Sequence, residues 1–151
     1  MKFLSKSVEE TNKIAEDFLI KISGIAFDKN ETKRATVVGL FGDLGSGKTT
    51  FTQAVGRKLG ITEFITSPTF VIEKIYKLDE KFGFKNLIHI DAYRLDSGHE
   101  LSVLGFERIL EDKDNLILIE WPERVIDILP ADVIKLNFKF ISENEREIEM
   151  I

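Results

Sequence analysis

The stretch that most constrains this chain is Gly42-Asp43-Leu44-Gly45-Ser46-Gly47-Lys48-Thr49, which fits G-x-x-x-x-G-K-[ST] without a mismatch. Before it, Ala35-Thr36-Val37-Val38-Gly39-Leu40-Phe41 is apolar on both faces and reads as a buried central strand. After it, Thr49 to Leu59 reads as a helix with Gly60 as its stop. A strand, a glycine-rich loop and a helix in that order form a phosphate cradle. Glycines let backbone amides turn inward toward phosphate oxygens, and the helix start adds the positive end of its dipole. Gly42, Gly45, Ser46 and Gly47 belong to this cradle. Lys48 supplies charge for the β- and γ-phosphates, and the Thr49 hydroxyl is placed to ligate Mg²⁺.

The remaining pattern predicts what surrounds the loop. Ser7-Val8-Glu9-Glu10 fits a capping box, and Val8, Ala15, Phe18, Leu19 and Ile22 follow at helical spacing. The charged run from Asp28 to Arg34 reads as a solvated loop. Phe70 to Leu78 and Asn86 to Ile90 read as strands of a hairpin. Ser97-Gly98-His99-Glu100 repeats the capping-box spacing ahead of a helix ending near Gly105, with a further turn through Leu110. Asn115 to Glu120 is a second continuously apolar strand. Ile134, Leu136, Phe138 and Phe140 alternate with polar residues, and a charged edge strand follows the turn at Ser142 to Glu145. The expectation is an α/β fold of the P-loop NTPase kind: a mixed, mostly parallel sheet with antiparallel edge strands and flanking helices. At 151 residues it is read as a single domain over 1–151.

Ligands in such sheets sit beyond the carboxyl ends of the strands, so acids there are candidates. Leu116-Ile117-Leu118-Ile119 leads into Glu120, the shape of a Walker B strand, and Leu87-Ile88-His89-Ile90 leads into Asp91. Glu120 is the first choice to hold Mg²⁺, directly or through water. Asp91 either shares the metal or orients an attacking water. Ser67-Pro68-Thr69-Phe70 is either a switch whose Thr69 senses the γ-phosphate or an ordinary turn. His89 shares a strand face with Asp91 and reads as a satisfied structural histidine; it does not pair with His99 as a metal site. Trp121 is either a core-edge residue or a contact near nucleotide or partner.

Composition and absences narrow the chemistry. There is no cysteine, which removes thiolate metal sites and cysteine nucleophiles and suits a reducing cytoplasm. A net charge of −5 disfavours tight direct nucleic-acid binding. No apolar run is long enough to span a membrane, and no apolar signal core follows Met1. No N/T-K-x-D motif reads guanine, so ATP is the default nucleotide by elimination. The six arginines are scattered, without the cluster of a nucleotide-kinase lid.

Four motifs carry a resemblance: Gly42 to Thr50, Ser67-Pro68-Thr69-Phe70, His89-Ile90-Asp91-Ala92-Tyr93-Arg94, and Glu120-Trp121-Pro122-Glu123. In that order they resemble the TsaE (YjeE) family, small bacterial P-loop ATPases needed for the threonylcarbamoyladenosine modification of tRNA. The resemblance implies that Gly45 to Thr50 hold the ATP phosphates, with Thr49 and Glu120 on Mg²⁺ and Asp91 as a catalytic or metal-linked acid; Lys48, Asp91 and Glu120 are the candidate catalytic set. It implies that residues 67–70 act as a switch and that Ser7 to Thr11 border the adenine. It also implies a partner, the TsaB–TsaD threonylcarbamoyl transferase complex, with tRNA engaged only indirectly. Ser46 departs from the family's usual Ala, and Ser97-Gly98-His99 from its more acidic helix start. Two rivals keep the same loop: a small-molecule kinase, and a nucleotide-gated binding module without significant hydrolysis.

Overall fold

The computed structural model describes residues 1–28, 34–66 and 72–151. Seven strands form one sheet in the order β1-β7-β6-β2-β5-β4-β3. They are β1 Lys2–Ser5, β2 Thr36–Phe41, β3 Glu73–Lys77, β4 Asn86–Asp91, β5 Asn115–Glu120, β6 Ile134–Ser142 and β7 Glu145–Met150. The four central strands β6, β2, β5 and β4 are parallel; β1, β7 and β3 add antiparallel pairs at the two sides. This is the mixed sheet the sequence predicts.

β2 and β5 sit in the middle because their residues are apolar on both faces, and all six positions of β5 are buried. One face packs against the helices α1 (Val8–Asp28) and α2 (Lys48–Lys58). Its core includes Leu19, Ile22, Leu40, Val55, Leu87, Leu116 and Leu118. Phe51 of α2 meets Phe18 of α1 and Phe138 of β6 edge to face, with ring centroids 5.6 and 5.4 Å apart. The other face packs Ile88, Ile90, Ile117 and Ile119 against the short helices α3 (Gly98–Val103) and α4 (Phe106–Glu111) and a kinked 3-10 segment over Pro122–Ile128.

Helix ends follow their sequence signals. The Glu10 amide donates to Ser7 Oγ, while the Glu10 carboxylate accepts from the Lys6 amide, one residue earlier than the usual reciprocal bond. At the end of α2, Gly60 (φ 88) donates to the Arg57 carbonyl and Ile61 to that of Gly56, a Schellman closure.

Four expectations need correction. β1 has no counterpart in the sequence reading, since four residues carry too little pattern to mark a strand. Because β1 pairs along β7, the charged C-terminal strand is not an edge; it lies between β6 and β1. The hairpin strand expected from Phe70 begins at Glu73, because Ile72 is left-handed (φ 64) and cannot continue it. Val8 does not join the apolar face of α1 but is exposed. The Phe70 and Val71 part of that strand lies outside the described residues. Among the described residues no helix is long and apolar enough to cross a membrane.

Candidate functional site

The loop between β2 and α2 turns on left-handed glycines: Gly42 has φ 144, Gly45 77 and Gly47 105. An added Cβ at Gly42 would lie 2.5 Å from the Phe138 carbonyl oxygen, so the loop's departure from β2 requires glycine there. A cavity of about 580 Å³ opens beside the loop, lined by Gly45, Ser46, Gly47, Lys48, Thr49 and Thr50. Gly42 is not part of its wall. Asp91 and Glu120 line the same cavity from the ends of β4 and β5. Thr69 lies outside the described residues.

Parallel register sets the acids opposite each other. Asp91 and Glu120 are Cα partners, as are His89 and Leu118 one pleat earlier, so all four point to the α2 side of the sheet. The Thr49 hydroxyl donates to Glu120 Oε1 at 3.0 Å. His89 Nε2 lies 2.7 Å from Glu120 Oε2, and both side chains are buried. Both Glu120 oxygens are thus held, one by Thr49 and one by His89. Among the described residues, His89 Nδ1 and Ser46 Oγ are buried without a partner. Asp91 Oδ1 accepts from the Tyr93 amide at 2.9 Å, an Asx-type turn at the strand end.

Lys48 is buried and donates to the Asp43 carbonyl oxygen at 3.0 Å and to that of Gly42. Burial lowers its pKa below the ordinary lysine value, and Glu120, Glu123, Asp43 and Asp91 pull the other way by stabilising the ammonium. Its Nζ also sits 4.1 Å from the centroid of the Trp121 ring. Trp121 leaves β5 in the left-handed region (φ 58, ψ 48), a conformation that costs a non-glycine residue on the order of 1 kcal/mol. That turn brings its ring against Tyr93, with centroids 5.1 Å apart.

The cavity's far wall comes from elements that sequence reasoning left without a role. Ser5, Lys6, Ser7, Val8 and Thr11 line it from the β1–α1 junction, and Ser5 Oγ lies 2.6 Å from Thr11 Oγ1. Only the family resemblance pointed to this segment. Glu143, Asn144 and Arg146 line it from the β6–β7 hairpin. Arg146, read in the sequence as one scattered arginine, donates from Nε to the Gly45 carbonyl oxygen at 3.2 Å. Nothing local marks it, because the contact spans 101 positions. The contact of His89 with Glu120 had a partial signal, the shared strand face of His89 and Asp91.

The family model for "Threonylcarbamoyl adenosine biosynthesis protein TsaE" matches residues 5–148. The chain belongs to the TsaE family. A tRNA threonylcarbamoyladenosine biosynthesis protein TsaE from Borreliella burgdorferi is 41% identical over 112 residues, 74% of this chain and 77% of that protein. The TsaE of Bacillus subtilis is 37% identical over 116 residues, 77% of this chain and 69% of that protein. The Rickettsia felis TsaE is 36% identical over 144 residues, 95% and 75% of the two chains. The crystal structure of Bacillus subtilis YdiB superposes with a TM-score of 0.71 at 29% identity, covering 99% of this chain and 83% of that one. The TsaE family match spans both cavity walls, from Ser5 to Ile148.

Proposed function

We propose that this chain is a Mg²⁺-dependent ATPase of the cytoplasm that serves tRNA N6-threonylcarbamoyladenosine synthesis by acting on the TsaB–TsaD complex. The pathway follows from family membership and from what the relatives' names state. The reaction rests on one observation: the Thr49 hydroxyl and the Glu120 carboxylate meet at 3.0 Å on the wall of a cavity that also holds Lys48.

The residues present fit both ligands. Left-handed glycines leave the loop free of side chains that would fill it, and the buried Ser46 hydroxyl has no partner among the described residues. The oxygens of Thr49, Glu120 and Asp91 suit a hard cation. Among the described residues no group of three or more His, Cys, Asp or Glu is disposed to hold a metal. That suits Mg²⁺, which is commonly held by one or two protein oxygens together with water and substrate phosphates. When bound, Mg²⁺ neutralises charge on the β- and γ-phosphates.

The chain's own residues then divide the work. Backbone amides of Gly45 to Thr50 cradle the phosphates, and Lys48 exchanges its loop carbonyls for phosphate oxygens. Thr49 and Glu120 offer the metal its protein oxygens, with His89 holding the Glu120 carboxylate in place. Asp91 sits beside them to orient the water that attacks the γ-phosphorus in line. An acidic protein of net charge −5 has little of its own to grip tRNA, which supports contact through a protein complex.

The test is steady-state ATP hydrolysis with Mg²⁺, alone and with purified TsaB–TsaD, using Lys48→Ala as the blank. Slow hydrolysis that rises with the complex is the expected result. Hydrolysis that persists in Lys48→Ala would remove the site assignment. Nucleotide binding with no hydrolysis under either condition would replace the ATPase with a nucleotide-gated binder.

A further inference from the structure

We propose that Arg146 is a positioning residue for the phosphate loop, so that the C-terminal hairpin is a working part of the nucleotide site. The inference rests on the nucleotide reading above and adds a residue outside every motif that defines it. The Arg146 guanidinium joins the Gly45 carbonyl of the loop to the turn between β6 and β7.

The bonds run in two directions. Nε donates to the Gly45 carbonyl oxygen at 3.2 Å. Nη1 donates to the carbonyl oxygens of Ser142, Glu143 and Glu145 at 2.6, 3.3 and 3.0 Å. The guanidinium carbon also lies 4.5 Å from the centroid of the Phe140 ring. An arginine in solution gives up rotamer freedom to be held so, which four carbonyl acceptors and a ring face offset. The hairpin is irregular where Arg146 grips it, with a register shift between Phe140 and Ser142.

The stem matters as much as the head. An added Cβ at Gly47 would meet Arg146 Cγ at 3.5 Å and Cδ at 3.8 Å. The side chain thus lies along the loop at the residue whose φ is 105. A phosphate cradle works when its amides already point inward, and they do so when the carbonyls of the same peptide units are held outward. Lys48 holds the carbonyls of Gly42 and Asp43, yet phosphates compete for that ammonium. Arg146 holds Gly45 from the hairpin, so its restraint does not rest on Lys48.

Two measurements on the full chain test this. In the nucleotide-free protein, hydrogen exchange at residues 43–48 should speed up in Arg146→Ala and be partly restored in Arg146→Lys, which retains a donor. In equilibrium titration with ATP and Mg²⁺, Arg146→Ala should bind about tenfold more weakly, the scale of one charge-assisted hydrogen bond. At saturating ATP its turnover should stay within about threefold of wild type, a loss carried by KM. Unchanged exchange in a folded Arg146→Ala protein would overturn the proposal, as would unchanged affinity. If Arg146→Ala does not fold, Arg146→Lys and Phe140→Ala carry the same comparison. If wild type and Lys48→Ala bind ATP equally, the nucleotide reading fails, and the exchange measurement still decides whether Arg146 orders the loop.

Discussion

The two sides of the phosphate loop are built differently. On the β4–β5 side the functional groups are buried side chains at the ends of apolar parallel strands, with Asp91 7% and Glu120 3% exposed. Glu120 is held by the side chains of Thr49 and His89, Asp91 accepts from the Tyr93 amide, and the register sets the two acids opposite each other. On the β1, β6 and β7 side the polar groups range from the buried Ser5 and Thr11 to the exposed Glu143 and Asn144, and the half-buried Arg146 grips backbone carbonyls. Rigid strand ends suit groups that must act on a reacting atom, because packing fixes them from every side. Edge elements suit groups that grip a bound molecule. Substitutions on the first side should therefore damage turnover, and those on the second should damage affinity.

Lys48 belongs to both sides, and its loss should have the largest effect. Lys48→Ala should weaken nucleotide binding by about a hundredfold or more and remove hydrolysis, since one buried ammonium serves ground state and transition state alike. Retained tight binding would break the division at its centre. Glu120→Gln comes next: turnover with Mg²⁺ should fall about a hundredfold, while metal-free nucleotide affinity stays close to wild type. A Glu120→Gln protein that loses affinity instead would place Glu120 on the gripping side.

The acid side was legible in the sequence because its signals are local and repeated. Leu116 to Ile119 is apolar at four successive positions ahead of Glu120, the run that a strand buried on both faces produces. The glycines at 42, 45 and 47 likewise mark a loop whose backbone no other residue adopts easily. The gripping side was not legible, for physical reasons. β1 is four residues long, and its partner β7 alternates charge with apolar residues as an edge strand would. Only long-range pairing of Lys2 to Ser5 with Arg146 to Glu149 makes β7 interior. Val8 fits the helical apolar period yet is exposed at the start of α1, where it lines the cavity. Arg146 reaches Gly45 across 101 positions, a distance at which one sequence holds no pattern.

A smaller effect sharpens the role of Lys48 through pH. Burial lowers its pKa, so it loses its proton at lower pH than an exposed lysine. Nucleotide affinity should fall as alkaline pH passes through that lowered value. Folding stability should change in the opposite sense, because there the unfolded chain binds more protons than the folded one, and stability rises with pH. Titrating both in wild type and Lys48→Met measures the pair; a fall in affinity that survives Lys48→Met would assign the pH dependence to another group.

The smallest expected effect separates strand from face. Glu73 opens β3, which pairs with β4, yet its register partner is Ile90, on the sheet face away from Asp91 and Glu120. Burial raises its pKa above the ordinary carboxylate value, and Oε1 is buried without a partner among the described residues. The folded chain therefore holds this proton at a pH where the unfolded chain has lost it, and stability falls as pH rises through that window. Glu73→Gln removes the charge, so it should stabilise the protein at neutral pH by about 1 kcal/mol, a few degrees in Tm. The gain should vanish in acid, where both states of wild type are protonated. Because Glu73 faces away from the cavity, turnover and nucleotide affinity should not move. A Glu73→Gln protein with altered turnover would mean that the sheet edge, and not only the cavity face of its strands, sets the chemistry.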